Sequence, residues 1–248
     1  MLAEKNRQER LRYMTDLSTN LQDLVTANRI LAHEGVVDAF GHVSFRHPEN
    51  PDRYWLSRSR APELVVAEDL MEYTLEGDPL DQQGRTMYAE RPIHGGVYQA
   101  RPDVQAVIHN HSMAVIPYGV TNTPLRPIFH LAAVIGEQVP VWDIHDTFGD
   151  TNMLVTTLDQ GHDLAKTLGD GRVALMRGHG CVVVGASIKT AVMASIYLQV
   201  NAQLLSESLR MGEVNYMSSG EVDLMGQTQV RPLSGDRAWE YWARRAGC

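Results

Sequence analysis

A chain of 248 residues that is 44% hydrophobic and 21% charged has the make-up of an ordinary soluble globular protein and can bury one sizeable core. Its net charge of −8 argues against a nucleic-acid surface and shows no basic face for membranes, and no apolar run approaches the ~18 residues of a membrane span. Cys181 and Cys248 are the only cysteines, which excludes a disulfide framework and a cysteine metal site.

Met1 to Thr15 is polar and lacks the apolar centre of a signal peptide, so the cytoplasm is the expected compartment. Residues 1–17 read as an N-terminal arm or short helix. Ser18 is placed to cap a helix running to His33, with Leu21, Leu24, Val25, Ile30 and Leu31 on one face and Gly35 as its stop. Gly41 then feeds an alternating strand, His42 to Arg46, and Tyr54 to Ser57 is a second short strand. Between that strand and Pro62 lies Arg58-Ser59-Arg60, which reads either as a solvated loop or as a grip for an anion. Leu70 to Leu75 before Gly77-Asp78-Pro79 reads as a hairpin edge.

Glu90 precedes Pro92, which suits the first turn of a helix carrying Ile93, Val97 and Tyr98 inward. A strand is expected over Val104–His111, and residues 117–127, with three prolines, are expected to be irregular. A short helix is expected from Ile128, a strand over Pro140–Ile144 and a loop over 146–152. A helix over Leu158–Leu168 leads to a buried strand, Arg172–Met176, and then to Gly178-His179-Gly180 and Val182–Val184. Ser187 caps the longest helix, which runs to Met211 before Gly212. The tail from Asn215 is polar, with Trp239, Tyr241 and Trp242 as a docking cluster. Strands alternating with helices indicate an α/β layered sandwich.

The chemistry concentrates on Val107-Ile108-His109-Asn110-His111. In a strand, His109 and His111 share one face about 7 Å apart along the chain. Two imidazoles so placed serve as ligands of one divalent metal, or else as a partly buried pair bonded to backbone. His179, between two glycines after a buried strand, has an unscreened imidazole. Three neutral imidazoles with an open position make a catalytic rather than a structural site. Glu90, at a helix start, is either a functional carboxylate or a plain cap.

Taken together, Gly41-His42-Val43-Ser44, Glu90-x-x-x-His94, the run from Asp103 through His109-x-His111-Ser112 and Gly178-His179-Gly180 resemble the class II aldolase/adducin family over roughly residues 20–212. The resemblance implies a three-layer αβα sandwich around a mostly antiparallel sheet. It implies His109, His111 and His179 as metal ligands and Glu90 as the acid/base. It also implies a homotetramer with sites at subunit interfaces. On this basis the expected layout is an arm over 1–17, a catalytic domain over 18–212 and an extension over 213–248 that packs on the same domain or on a neighbour.

Departures from the sugar-phosphate members bear on substrate. Their phosphate-holding Gly-Asn, Ser-Gly and Ser-Ser places read here Gly41-His42, Ser59-Arg60 and Tyr88-Ala89. A carboxylate gripped by Arg60, with Arg58 and Ser59 beside it, suits these residues better than phosphate does. The place of the family's proton-donating tyrosine, reaching in from a neighbouring subunit, is His130, whose type titrates ~3 units lower than tyrosine. These changes are similar to those of a subgroup that decarboxylates ortho-hydroxy aromatic dicarboxylates of the dihydroxyphthalate or hydroxy-methylpyridine type. The expectation is therefore a metal-dependent carboxy-lyase acting on a small aromatic or hydroxypyridine carboxylate, with Glu90 or His130 delivering a proton. His42 either bonds the substrate or braces its turn, and His94 is a brace. Zinc, manganese, cobalt and iron all suit three histidines. Three other readings stand beside it: an aldolase for an unphosphorylated hydroxy-oxo-acid, an adducin-like binding module and an iron oxygenase.

Overall fold

A computed structural model describes the backbone of residues 2–229 and 232–248 and the side chains of residues 17–228 and 234–248. In chain order the elements are α1 (Leu2–His33), β1 (His42–Arg46), β2 (Arg53–Ser57), β3 (Leu70–Thr74), α2 (Arg91–Ala100), β4 (Ala106–Asn110), α3 (Ile116–Gly119), β5 (Val141–Trp142), α4 (Ile144–Phe148), α5 (Leu158–Leu168), β6 (Val173–Met176), β7 (Gly180–Gly185), α6 (Ile188–Met211), α7 (Ser219–Gln229) and α8 (Pro232–Arg245). Three expectations need correction. Ser18 caps nothing: α1 is continuous from Leu2, because no glycine or proline interrupts the chain before Gly35 and its N-terminal part is rich in strong helix formers. Residues 117–127 are not irregular throughout, since Pro117 sits in the first turn of the short α3. Residues 146–152 are not all loop, since Asp143 accepts from the His145 N–H and starts α4.

The seven strands form one sheet in the order β3-β2-β1-β4-β7-β6-β5, and only the β5–β6 pair is parallel. Each central strand sends alternate side chains to opposite faces. Val43 and Phe45 of β1, Ala106 and Ile108 of β4, and Cys181 and Val183 of β7 meet α1 and α6 on one face. Val107 of β4 and Val182 and Val184 of β7 meet α2 and α5 on the other. The result is an αβα sandwich. The C-terminal α8 lies on α1 and α6, and its Trp242 is buried against Tyr197. Among the described residues, no helix is long and apolar enough to cross a membrane.

The α2–α5 contact is unusually close. A Cβ on Gly96 would stand 2.5 Å from the Gly161 carbonyl carbon, and one on Gly161 would stand 2.2 Å from the Pro92 oxygen. Neither neighbour is a flexible side chain, so backbone has to move. Gly161→Ala is therefore expected to cost about 2–3 kcal/mol, read as a lowered urea midpoint at unchanged slope. A loss below 0.5 kcal/mol would mean that the two helices are free to part.

Candidate metal centre

The sheet register sets the site. His42 on β1 pairs directly with His109 on β4, so the two rings lie side by side, with centroids 5.1 Å apart. His109 follows Ile108 and therefore faces the α2 side with Val107. His111, one residue past the end of β4, returns to that face, and its Nε2 lies 3.0 Å from His109 Nε2. The turn between β6 and β7 supplies His179, whose ring centroid is 4.9 Å from that of His109 and 5.0 Å from that of His111. Gly178 adopts φ +65°, and the His179 N–H closes the turn on the Met176 carbonyl at 3.0 Å.

Glu90 comes from the start of α2, but its carboxylate caps no helix amide. Instead Oε1 accepts from the Val155 N–H at 3.0 Å, while Oε2 stands 3.6 Å from Nε2 of both His109 and His179. The plain-cap alternative for Glu90 is thereby excluded. Ligand-type atoms of Glu90, His109, His111 and His179 all lie within 4.8 Å of one another.

The electrostatics suit a cation. Burial pushes the His109 imidazole down to about 3, and burial followed by the neighbouring His179 lowers His111 as well. Burial alone would raise the Glu90 carboxyl. The neighbouring His179 and His109 imidazoles and the Val155 N–H outweigh it and hold Glu90 at about 2. His109 Nδ1 meets the Cys181 carbonyl at 3.1 Å, so it carries the proton and Nε2 is left as a lone pair. That lone pair faces a carboxylate oxygen and the His111 nitrogen. A cation among them would be met by the carboxylate charge and by imidazole lone pairs. Two nitrogens on a tetrahedral zinc with bonds of ~2.1 Å stand ~3.4 Å apart, close to the separation found here. The residues therefore fit a divalent ion.

Beside the cluster lies a cleft of about 400 Å3, lined among others by Phe40, His42, Arg60, Tyr88, Glu90 and His111. Ser59 also lines it. Arg60 reaches it from the loop after β2 and shares one buried carboxylate, Asp69, with Arg58: Arg60 Nη1 to Oδ2 is 2.7 Å and Arg58 Nε to Oδ1 is 2.6 Å. Arg58 itself is not part of the lining. Burial would raise Asp69, but the Val66 N–H and the two guanidiniums keep it below the usual range. The Tyr88 hydroxyl donates to the Arg60 carbonyl and holds that loop.

Under the cleft a buried chain runs through polar groups of β1 and α2. His42 Nδ1 lies 2.6 Å from His94 Nε2, His94 Nδ1 lies 2.6 Å from Ser44 Oγ, and Ser44 Oγ lies 2.8 Å from the Tyr98 hydroxyl. His94 is thus a brace, and His42 both braces and faces the cleft. Burial drives His94 to about 3 and holds His42 well below its ordinary value. With His109, these three imidazoles enter the folded state neutral and become charged only on unfolding. In metal-free protein the unfolded chain then binds more protons than the folded one below pH ~6.5, so stability falls as pH drops below that value, by ~1.4 kcal/mol per pH unit for each extra proton. The pH dependence of the denaturant midpoint checks this, and a flat profile from pH 7 to 5 would contradict it.

His130 does not join the cluster within one chain. Its exposed side chain begins the largely buried 3-10 turn His130–Ile135 and lines a separate cavity with Tyr197, Arg237 and Tyr241. His33 and His162 are exposed, His47 is half-buried, and exposed His145 faces Asp150 at 3.5 Å. Asp69, Ser44 and Tyr98 carry no distinctive spacing. Only the alternation of Ser44 with His42 on one strand signalled a shared face.

The four-group histidine–carboxylate cluster thus sits in an αβα sandwich and joins a cleft with a guanidinium. The chain belongs to the class II aldolase and adducin family: residues 22–206 match the model described as the class II aldolase and adducin N-terminal domain. It is 31% identical to decarboxylase tropJ of Talaromyces stipitatus, with 92% of this chain and 94% of that protein covered. It is 29% identical to the 3,4-dihydroxyphthalate decarboxylase of Arthrobacter keyseri over 73% and 75% of the two chains. Among solved structures it overlays the L-fuculose 1-phosphate aldolase of Glaciozyma antarctica PI12 with a TM-score of 0.76 at 23% identity, covering 94% of this chain and 90% of that one. The chain is an enzyme of the decarboxylase and aldolase type of lyase.

Proposed function

We propose that this protein is a divalent-metal-dependent lyase that removes CO2, without oxidation, from an ortho-hydroxy aromatic or hydroxypyridine (di)carboxylate. The observation that carries this is the cleft that joins the histidine–Glu90 cluster to Arg60 past the ring faces of His42 and Tyr88. The two rings touch each other, with centroids 4.6 Å apart, and together form an aromatic wall against which a flat acid can lie. Two guanidiniums share the single Asp69 carboxylate, so one positive charge is left over at the cleft wall for a substrate carboxylate. The decarboxylase relatives support the same chemistry.

His109, His111 and His179 would hold the ion, with zinc, manganese, cobalt or iron all suited to the set. When bound, the ion supplies a positive charge that favours the ionised ring oxygen and its neighbouring carboxylate. Glu90, a carboxylate in the resting site, takes the ring hydroxyl proton. The ring carbon bearing the departing group then takes a proton, from Glu90 or from His130 of a second copy in a tetramer with shared sites. The carbon–carbon pair returns to the ring as CO2 leaves.

Incubating metal-loaded protein separately with hydroxyaryl acids and with hydroxy-oxo-acids tests this. Release of CO2 from the first supports it. Release of pyruvate or aldehyde from the second would instead make the protein an aldolase, oxygen uptake would indicate an oxygenase, and protein that retains no metal would be a binding module. His130→Phe is expected to keep metal content and lose turnover by ~10^2-fold or more. Wild-type turnover in that variant would remove the histidine from the proton path.

A further inference from the structure

The buried chain below the cleft has a direction. Tyr98 is almost fully buried, and its O–H can donate only to Ser44 Oγ among the described contacts. The other group at the Tyr98 oxygen, the Val107 N–H, is itself a donor. Ser44 therefore receives a hydrogen from Tyr98 and must spend its own on its remaining partner, His94 Nδ1. With Nδ1 accepting, neutral His94 carries its proton on Nε2 and donates it to His42 Nδ1. His42, accepting at Nδ1, is then neutral and protonated on Nε2. That second nitrogen has no protein hydrogen-bond partner among the described contacts, and His42 lines the cleft beside Glu90 and His111. The reverse direction would leave the Tyr98 O–H buried with no acceptor, which folded proteins avoid.

We infer that Tyr98, Ser44 and His94 form a relay that locks His42 as a hydrogen-bond donor into the cleft, where it recognises an anionic oxygen of the substrate. His42 then neither takes a proton nor offers a lone pair. It is a specificity-determining donor, and His94, Ser44 and Tyr98 are positioning residues. The class of ligand this selects is an acid whose carboxylate or ionised hydroxyl oxygen lies within reach of both the metal-capable cluster and the β1 face. A ligand that offers only donors there is rejected. The same accounting explains why a small amide side chain at position 42 would not be equivalent, since it can rotate to present either its oxygen or its nitrogen.

The inference rests on the proposed function for its substrate class, but the direction of the relay does not. Nitrogen-15 resonances of the histidines, with His42 identified by its loss in His42→Gln, report the tautomer without any turnover. The expected result is a single His42 form protonated on Nε2, kept in Ser44→Thr and lost to a mixture in Ser44→Ala. A His42 protonated on Nδ1, or a tautomer unmoved by Ser44→Ala, overturns the relay. Calorimetric binding of 2-hydroxybenzoate to the metal-loaded protein tests the consequence. Ser44→Ala is expected to weaken Kd about tenfold at unchanged metal content, with Ser44→Thr restoring it. Unchanged affinity in Ser44→Ala despite a scrambled tautomer overturns the donor role. If hydroxyaryl acids release no CO2, the proposed reaction fails while the tautomer result still decides the relay.

Discussion

His109→Ala is expected to lose bound metal and turnover together. The His109 side chain is fully buried on β4, its Nδ1 is pinned by the Cys181 carbonyl, and its Nε2 lies within 3.6 Å of both His111 and Glu90. No other described side chain can take its place in the cluster, and alanine leaves three groups where four converge. Removing a ligand from a catalytic ion withdraws several kcal/mol of charge stabilisation, so turnover should fall by ~10^3-fold or more. Metal analysis after gel filtration, paired with CO2 release, is the measurement. Circular dichroism guards against an unfolded variant. Wild-type metal content with wild-type rate would leave the proposed chemistry without a centre.

Glu90→Gln should separate the two roles open to this carboxylate. Glutamine keeps the carbonyl that accepts from Val155, so the start of α2 stays in place. It removes the negative charge that Oε2 presents to His109 and His179. If Glu90 moves protons, metal content should stay close to wild type and the rate should drop by ~10^2–10^4-fold. Because the carboxyl sits at about 2, wild-type activity should show no acid limb due to this group above pH ~4. A variant that loses metal before it loses rate would make Glu90 a ligand rather than a base.

The locally determined parts of the chain were legible as residues. Alternation around Val107–His111 placed two imidazoles on one face, glycines on both sides of His179 exposed the third, and Ser187 and Gly212 bounded α6 as expected. The helix to His33 was expected from Ser18, and its continuity back to Leu2 was not, because Ser18 reads as a cap and residues 1–17 carry no regular apolar period in the sequence. The short α4 was missed because Asp143, its cap, was absorbed into an apolar stretch that reads as strand.

The residue types alone determined that this chain has metal-capable imidazoles and an arginine pair near a strand end. Only the tertiary structure decided which groups meet. It brought Glu90 to His109 and His179, set Asp69 between Arg58 and Arg60, kept His130 out of its own cleft, and ran Tyr98 through Ser44 and His94 to His42. The physical reason is that pattern and propensity act over a few residues, whereas these contacts join positions tens of residues apart. They are fixed by the antiparallel register of β1 on β4 and by glycines that let α2 close on α5.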